Sequence, residues 1–141
     1  MGLVLVVDAA NVVGSRPDGW WRDRVGATAR LLDRLAGLPG RPVSGPGLTG
    51  PVGRVVVVVE GQATAVADIA GVEVVRAPRD GDTTIVEVAT GLDQPAVVVT
   101  ADRGLRARLG DVPAVGPRWL WDLLDAGPAV HPRSEPPAPF L

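Results

Sequence analysis

The 141-residue chain reads as an α/β protein, a three-layer sandwich with helices on both faces of a parallel, roughly five-stranded sheet. Three features predict this. Short β-branched runs recur along the chain. Stretches with helical spacing separate them, which is the alternation of βαβ units. Two of the runs are apolar almost throughout, as in strands covered on both faces. Right-handed crossovers then distribute the helices over both faces.

Taken in order, Leu3–Val7 (LVLVV) is the first strand. Val25, Ala29, Leu32 and Ala36 form one helical stripe, with Arg30 and Arg34 opposite. Residues 38–53 (LPGRPVSGPGLTGPVG) are crowded with Gly and Pro and read as a mobile loop. Arg54–Val59 (RVVVVV) and Val72–Arg76 (VEVVR) are the next strands, and Ile85, Val88, Ala89 and Leu92 repeat the helical spacing. Ala96–Thr100 (AVVVT) is a strand, and Val112–Val115 a weaker one. Trp119, Leu120, Leu123 and Leu124 mark a last helix, with Trp119 in the core. Trp121 falls off that stripe, toward solvent or a homodimer contact. Residues 1–127 form a single domain, and 128–141 a Pro-rich C-terminal tail in which His131 has no assigned role.

Composition removes several chemistries. With 46 % hydrophobic and 21 % charged residues, wholesale disorder is unexpected. There is no Cys, which excludes disulfides, thiolate catalysis and Cys-based metal sites. A single His argues against a multi-His zinc site or a Ser–His–Asp triad. No apolar run reaches the ~20 residues of a membrane span. The first residues carry Asp8 inside the apolar run, unlike a secretory signal. A cytoplasmic domain without a membrane partner is expected. The net charge of −2 argues against a strongly basic nucleic-acid binder. All 14 basic residues are Arg. That bias suits phosphate recognition, but GC-rich coding is the simpler reading.

The acids carry the chemistry. Asp8 follows the first strand and Glu60 the second; Asp80 and Asp82 come shortly after the third, and Asp102 two residues past the fourth. Parallel strands bring these positions to one edge, where open α/β sheets place their crevices. Carboxylates gathered there repel one another and take up protons unless neutralised. A hard divalent cation, Mg²⁺ or Mn²⁺, is the simplest neutraliser. It would also let the acidic edge accept a phosphodiester and activate a water, without His or Cys. The competing reading is structural: Asp favours helix N-caps, and Asp82 and Asp102 each precede helical stretches. Asn11, three residues past Asp8, either holds a metal-bound water or phosphate oxygen or bonds its own turn.

The stretch VVDAANVVGSRPDGWWRDR, with VVTADRGLRARL further on, resembles the NYN-domain branch of the PIN-like nuclease superfamily. Asp8 and Asn11 match its D-x-x-N pattern. Thr100, Ala101, Asp102 and Arg103 match a T/S-x-D-R-like motif, and Arg79–Val86 (RDGDTTIV) matches an acidic segment entering a helix. The likeness spans roughly residues 3 to 125. It implies a five-stranded parallel sheet and Mg²⁺- or Mn²⁺-dependent cleavage of RNA. Asp8 and Asp102 are then the central metal ligands, Asp82 with Asp80 in support completes the shell, Glu60 acts through water at the rim, and Asn11 positions the phosphate or its water. The catalytic set is Asp8, Asn11, Asp82 and Asp102. The chain departs from the pattern at Thr83, where relatives commonly carry a second acid, and at Glu60, where they often carry Asp.

RNA needs phosphate contacts and base stacking. Arg16, Arg22, Arg24, Arg103, Arg106 and Arg108 flank the crevice in sequence, and Trp20 and Trp21 lie in the loop after Asp8. The expected RNA contacts are Arg16, Arg22, Arg103, Arg106 and Trp20, against ordinary solvated helix faces and a packed tryptophan. Two other functions compete with a ribonuclease. One is a non-catalytic RNA-binding or scaffold domain, motivated by Thr83. The other is a phosphatase- or receiver-like domain with Asp8 as nucleophile, which lacks a DxD because Ala10 stands at the second position.

Overall fold

The computed structural model describes residues 2–127, so the expected tail and His131 lie outside the described residues. The chain runs β1 (Leu3–Asp8), α1 (Ala9–Gly14), α2 (Arg24–Leu35), β2 (Pro42–Gly45), β3 (Leu48–Val59), β4 (Glu73–Arg76), α3 (Gly81–Thr90), β5 (Ala96–Val99), α4 (Arg103–Ala107), β6 (Ala114–Val115) and α5 (Pro117–Asp125). Five strands pair in parallel in the order β4–β3–β1–β5–β6.

The long apolar runs take the centre of this sheet because they have no polar face to show to water. β1 is buried at all six positions. Alternation sends Leu3, Leu5 and Val7 to one core with Val55, Val57, Val59, Val97 and Val99, closed by α1, α2 and α5. Val4, Val6, Val56, Val58 and Val98 face a second core with Ile85, Ala89, Leu105 and Leu109 from α3, α4 and the turn after α4. Each fully buried Val or Leu contributes roughly 1.5–3 kcal/mol of transfer free energy. These two cores make the three-layer α/β sandwich. No helix among the described residues is long and apolar enough to cross a membrane.

The structure corrects the Gly/Pro stretch 38–53. Instead of a mobile loop it forms a hairpin, with β2 antiparallel to the first residues of β3. Pro42 lies opposite Pro51, so neither proline removes a donor that the other needs. The adjoining bond runs from the Val52 N–H to the Arg41 carbonyl at 2.8 Å. Pro46 and Gly47 make the turn, and Gly47 has a φ of 75° that favours glycine. Val43 and Leu48 are buried, and the Trp119 indole N–H donates to the Ser44 carbonyl at 3.1 Å, fastening α5 to the hairpin. In α2 the buried stripe is Ala27, Thr28, Leu31, Leu32 and Leu35, with the expected Val25, Ala29 and Ala36 at its partly buried margin.

Candidate active site

Strand alternation explains why acids distant in sequence meet. Val4 and Val6 face the second core, so Asp8 continues that face of β1. By the same count Glu60 follows Val56 and Val58, and Thr100 follows Val98. β1 lies between β3 and β5, so Glu60, Asp8 and Thr100 form a row across neighbouring strand ends. Asp82 and Asp102 approach this row from the heads of α3 and α4.

Asp8 is only 6 % exposed. Its Oδ1 accepts the Asn11 N–H at 3.3 Å, capping α1, and its Oδ2 accepts the Thr100 hydroxyl at 2.9 Å. Burial pushes its pKa up to about 6; the two hydrogen bonds pull it down, and the charges of Asp82 and Glu60 push it up again. Asp82 is half-buried, and no hydrogen bond compensates its carboxylate among the described residues. Burial raises its pKa first, followed by repulsion from Asp102, Glu60 and Asp80, against an opposing pull from Arg108.

The capping reading holds for Asp102 and not for Asp82, and Asp8 and Asp80 are caps as well. Asp102 Oδ1 accepts the Leu105 N–H at 2.9 Å. Asp80 caps α3, with Oδ1 accepting the Thr83 N–H at 2.8 Å and Oδ2 facing the Thr83 hydroxyl at 3.4 Å, which holds its pKa below the ordinary range. Asp80, and not Asp82, is therefore the cap of α3. Thr83 completes that cap, so the departure from the acidic pattern has a structural use. Glu60, expected to act through water, places Oε1 2.5 Å from the Gly81 N–H at the head of α3. Asn11 does not bond its own turn. Its Oδ1 accepts the Ala101 N–H at 2.7 Å, tying α1 to the β5–α4 connection and leaving Nδ2 as a donor.

Two of the expected RNA contacts are corrected. The Arg16 guanidinium turns to α5, 2.5 Å from Asp125 and 4.0 Å above the Trp121 ring. Arg106 clamps the end of β5, with Nε and Nη2 donating to the Thr100 carbonyl at 3.0 and 2.7 Å. Both are drawn to acceptors brought near only by folding. Arg103 and Arg22 are exposed, the latter 5.7 Å over Trp21. Trp20 is half-buried, packs on the first core and lies under Arg24 at 4.9 Å. Trp121 is half-buried within its own chain, its indole N–H donating to the Val12 carbonyl at 3.3 Å and Ser15 Oγ at 3.0 Å. The solvent or dimer contact expected for it is thus made internally. Thr100, matched by the motif but assigned no role from sequence, is a site residue: its hydroxyl also accepts the Asp102 N–H at 3.1 Å. Its parity with Val98 was the available signal.

Among the described residues no three acidic side chains converge into a ready-made metal cage. The donor set is nonetheless all oxygen, with an uncompensated carboxylate at Asp82 near the buried carboxyl of Asp8. That suits a hydrated Mg²⁺ or Mn²⁺, which takes one or two carboxylates and keeps several waters.

The fold and edge define a three-layer α/β protein with an acidic site at the carboxyl ends of its parallel strands. Its architecture is similar to that of Rae1 (YacP) from Bacillus subtilis. One crystal structure of that protein matches at 18 % identity with a TM-score of 0.68, covering 87 % of this chain and 74 % of that one. Its W164L mutant matches at 21 % identity with a TM-score of 0.66, covering 87 % and 75 %. At this identity the likeness is one of fold, and it agrees with the NYN/PIN-like architecture expected from the motifs. No protein-family model matches the chain, and no curated protein sequence does.

Proposed function

We propose that the chain is a metal-dependent ribonuclease of NYN/PIN-like type, hydrolysing RNA phosphodiester bonds at the edge formed by Asp8, Asp82 and Asp102. The observation that carries this reading is the Asp82 carboxylate, half-buried, without a hydrogen bond among the described residues, and set against the charges of Asp102, Glu60 and Asp80. A divalent cation relieves that repulsion. Asp8, Asp82 and the uncapped oxygen of Asp102 are the residues that would hold Mg²⁺ or Mn²⁺. When bound, the ion supplies Lewis acidity and offsets the negative edge so that a phosphodiester can approach.

The remaining work falls to the chain's own groups. Thr100 fixes Oδ2 of Asp8 and favours its ionised form. Asn11 offers its Nδ2 hydrogens to a phosphate oxygen while Oδ1 stays tied to Ala101. Arg103 and Arg22 are exposed for contacts to flanking phosphates. The D-x-x-N and T-x-D-R motifs lie at the ends of β1 and β5, the positions the NYN resemblance requires.

A second reading, a non-catalytic RNA-binding or scaffold domain, is favoured by the capping of α3 through Asp80 and Thr83 and by the lack of a closed acidic cage. Labelled RNA incubated with Mn²⁺ separates the two. The nuclease reading expects cleavage by the wild type and a loss of at least about 100-fold in Asp82→Asn, the scale of a lost transition-state charge contact. Equal cleavage by both proteins points to a contaminant, and none by either leaves the binding domain.

A further inference from the structure

One peptide group beside the acidic edge is held from both ends. The Thr100 carbonyl accepts Nε and Nη2 of Arg106 at 3.0 and 2.7 Å. The Ala101 N–H, on the other side of the same peptide, donates to Asn11 Oδ1 at 2.7 Å. We propose that Arg106 is a positioning residue for the cleavage: through the 100–101 peptide it fixes the Asn11 carboxamide, so that the Nδ2 hydrogens face the phosphate, and it does not itself touch RNA. This role rests on the ribonuclease reading and deepens it.

The clamp is built locally. Arg106 lies one turn past Asp102 on α4, and its N–H bonds the Asp102 carbonyl at 3.0 Å. Side chains on a helix lean toward its N-terminus, which carries the guanidinium back to residue 100. The Thr100 N–H is taken by the Val115 carbonyl of β6 at 2.8 Å, so the peptide leaves a fixed strand end. Two N–H groups of a cation on one carbonyl polarise the peptide, and its own N–H becomes a stronger donor to Asn11. That N–H can only donate, so the carboxamide must turn its oxygen to Ala101 and its NH₂ group away. Arg106 thus has two donors committed to the backbone, unlike the exposed Arg103 on the same helix. A residue engaged in this way governs the rate of the chemical step through the geometry of Asn11, not the affinity for RNA.

Single-turnover cleavage of a fluorescent oligoribonucleotide is measured in saturating Mn²⁺, and its binding in EDTA over a salt series. Arg106→Gln should lower the cleavage rate about 10- to 100-fold, the scale of a misplaced positioning group, and leave Kd and its salt dependence unchanged. Loss of a phosphate contact would instead weaken binding and reduce the slope of log Kd against log salt by about one. Asn11→Ala should lose about 100-fold, and the double variant no more than Asn11→Ala alone, because Arg106 acts through Asn11. Arg106→Lys, which keeps a cation and a donor, should recover part of the rate. By NMR of the metal-free protein, the Ala101 amide proton should move upfield in Arg106→Gln and less so in Arg106→Lys, as its bond to Asn11 weakens. Losses that add in the double variant, a reduced salt slope, or an Ala101 signal that stays in place overturn the role. Should Arg106→Gln fail to fold, the same readings on Arg106→Lys decide. A wild type without Mn²⁺-dependent cleavage ends the ribonuclease reading and this role with it; cleavage with additive losses ends the role alone.

Discussion

Thr100 joins Asp8 to Asp102. Its fully buried hydroxyl donates to Asp8 Oδ2 at 2.9 Å and accepts the Asp102 N–H at 3.1 Å, so one oxygen sets the end of β1 against the head of α4. Thr100→Val keeps the shape and strands both partners. The expected cost is about 1–3 kcal/mol of stability, that of leaving buried polar groups unpaired. Asp8 also loses a bond that lowers its pKa, so the cleavage–pH profile should move upward and activity fall about 10- to 100-fold. Thr100→Ser should restore both. Thermal unfolding with a pH series checks this, and a Val variant indistinguishable from wild type removes the linkage.

Asp8 sets a stability trend in the metal-free protein. Its carboxyl, ordinarily at 3.8, is pushed up to about 6 mainly by burial, so the folded state holds the proton more tightly than the unfolded chain. The stability this contributes is complete below about pH 4 and is lost as pH rises through 6. At about 1.4 kcal/mol per pH unit, the loss is about 3 kcal/mol at most. Asp8→Asn carries no charge to bury. In EDTA it should melt a few degrees above wild type near pH 7.5, with the gap closing toward pH 4. Asp82 titrates with the same sign, and Asp125 and Glu73, held low by Arg16 and by Arg54, with the opposite sign. All three are present in both proteins; Asp125 and Glu73 cancel in the difference, while Asp82 loses its repulsion by Asp8 in the variant and widens the gap at high pH. A gap that stays constant across that range contradicts the burial assignment.

Much of this architecture is visible in the chain because its central strands are so apolar. Val55–Val59 and Val97–Val99 have no polar face, so only a sheet covered on both sides accommodates them. Once the strands are parallel, the gathering of Asp8, Glu60, Asp82 and Asp102 follows from topology. The hairpin at β2 was hidden because Gly and Pro are ordinary turn formers, and nothing local says that Pro42 faces Pro51. The same limit applies to Arg16 and Arg106. Each has an acceptor supplied by another element, Asp125 on α5 and the Thr100 carbonyl at the end of β5, so spacing left them looking free. Glu60 looked like a rim ligand because its partner, the Gly81 N–H, lies across the sheet edge.

Trp121 and Asp125 should differ sharply in weight. The Trp121 indole N–H reaches the Val12 carbonyl and Ser15 Oγ at the end of α1, and its ring underlies Arg16. Trp121→Phe removes those bonds and should cost about 1 kcal/mol. Asp125 bonds Arg16 at 2.5 Å and Arg34 at 2.9 Å, but all three side chains are well exposed. Asp125→Asn should therefore cost less than Trp121→Phe, and less still in high salt. Urea unfolding at two salt concentrations measures both. A larger effect from Asp125→Asn would mean that the charge pair, and not the indole, holds α5 to α1.

Mn²⁺ should separate ligands from helix caps. A ligand that binds only the folded state stabilises it by about 2.7 kcal/mol at 100 times its Kd, enough to raise Tm by several degrees. Asp82 has no hydrogen bond to its carboxylate among the described residues and is repelled by neighbouring acids, so Asp82→Asn should abolish that rise while raising the metal-free Tm. Glu60 places Oε1 against the Gly81 N–H, and an amide oxygen can accept the same bond. Glu60→Gln should therefore keep the fold and most of the Mn²⁺ shift, with a weaker midpoint because one nearby negative charge is gone. Asp80→Asn, whose carboxylate is turned to Thr83, should behave like Glu60→Gln. Should Glu60→Gln or Asp80→Asn erase the shift as fully as Asp82→Asn, the capping contacts are not these residues' main task, and the metal draws on carboxylates that must first leave the head of α3.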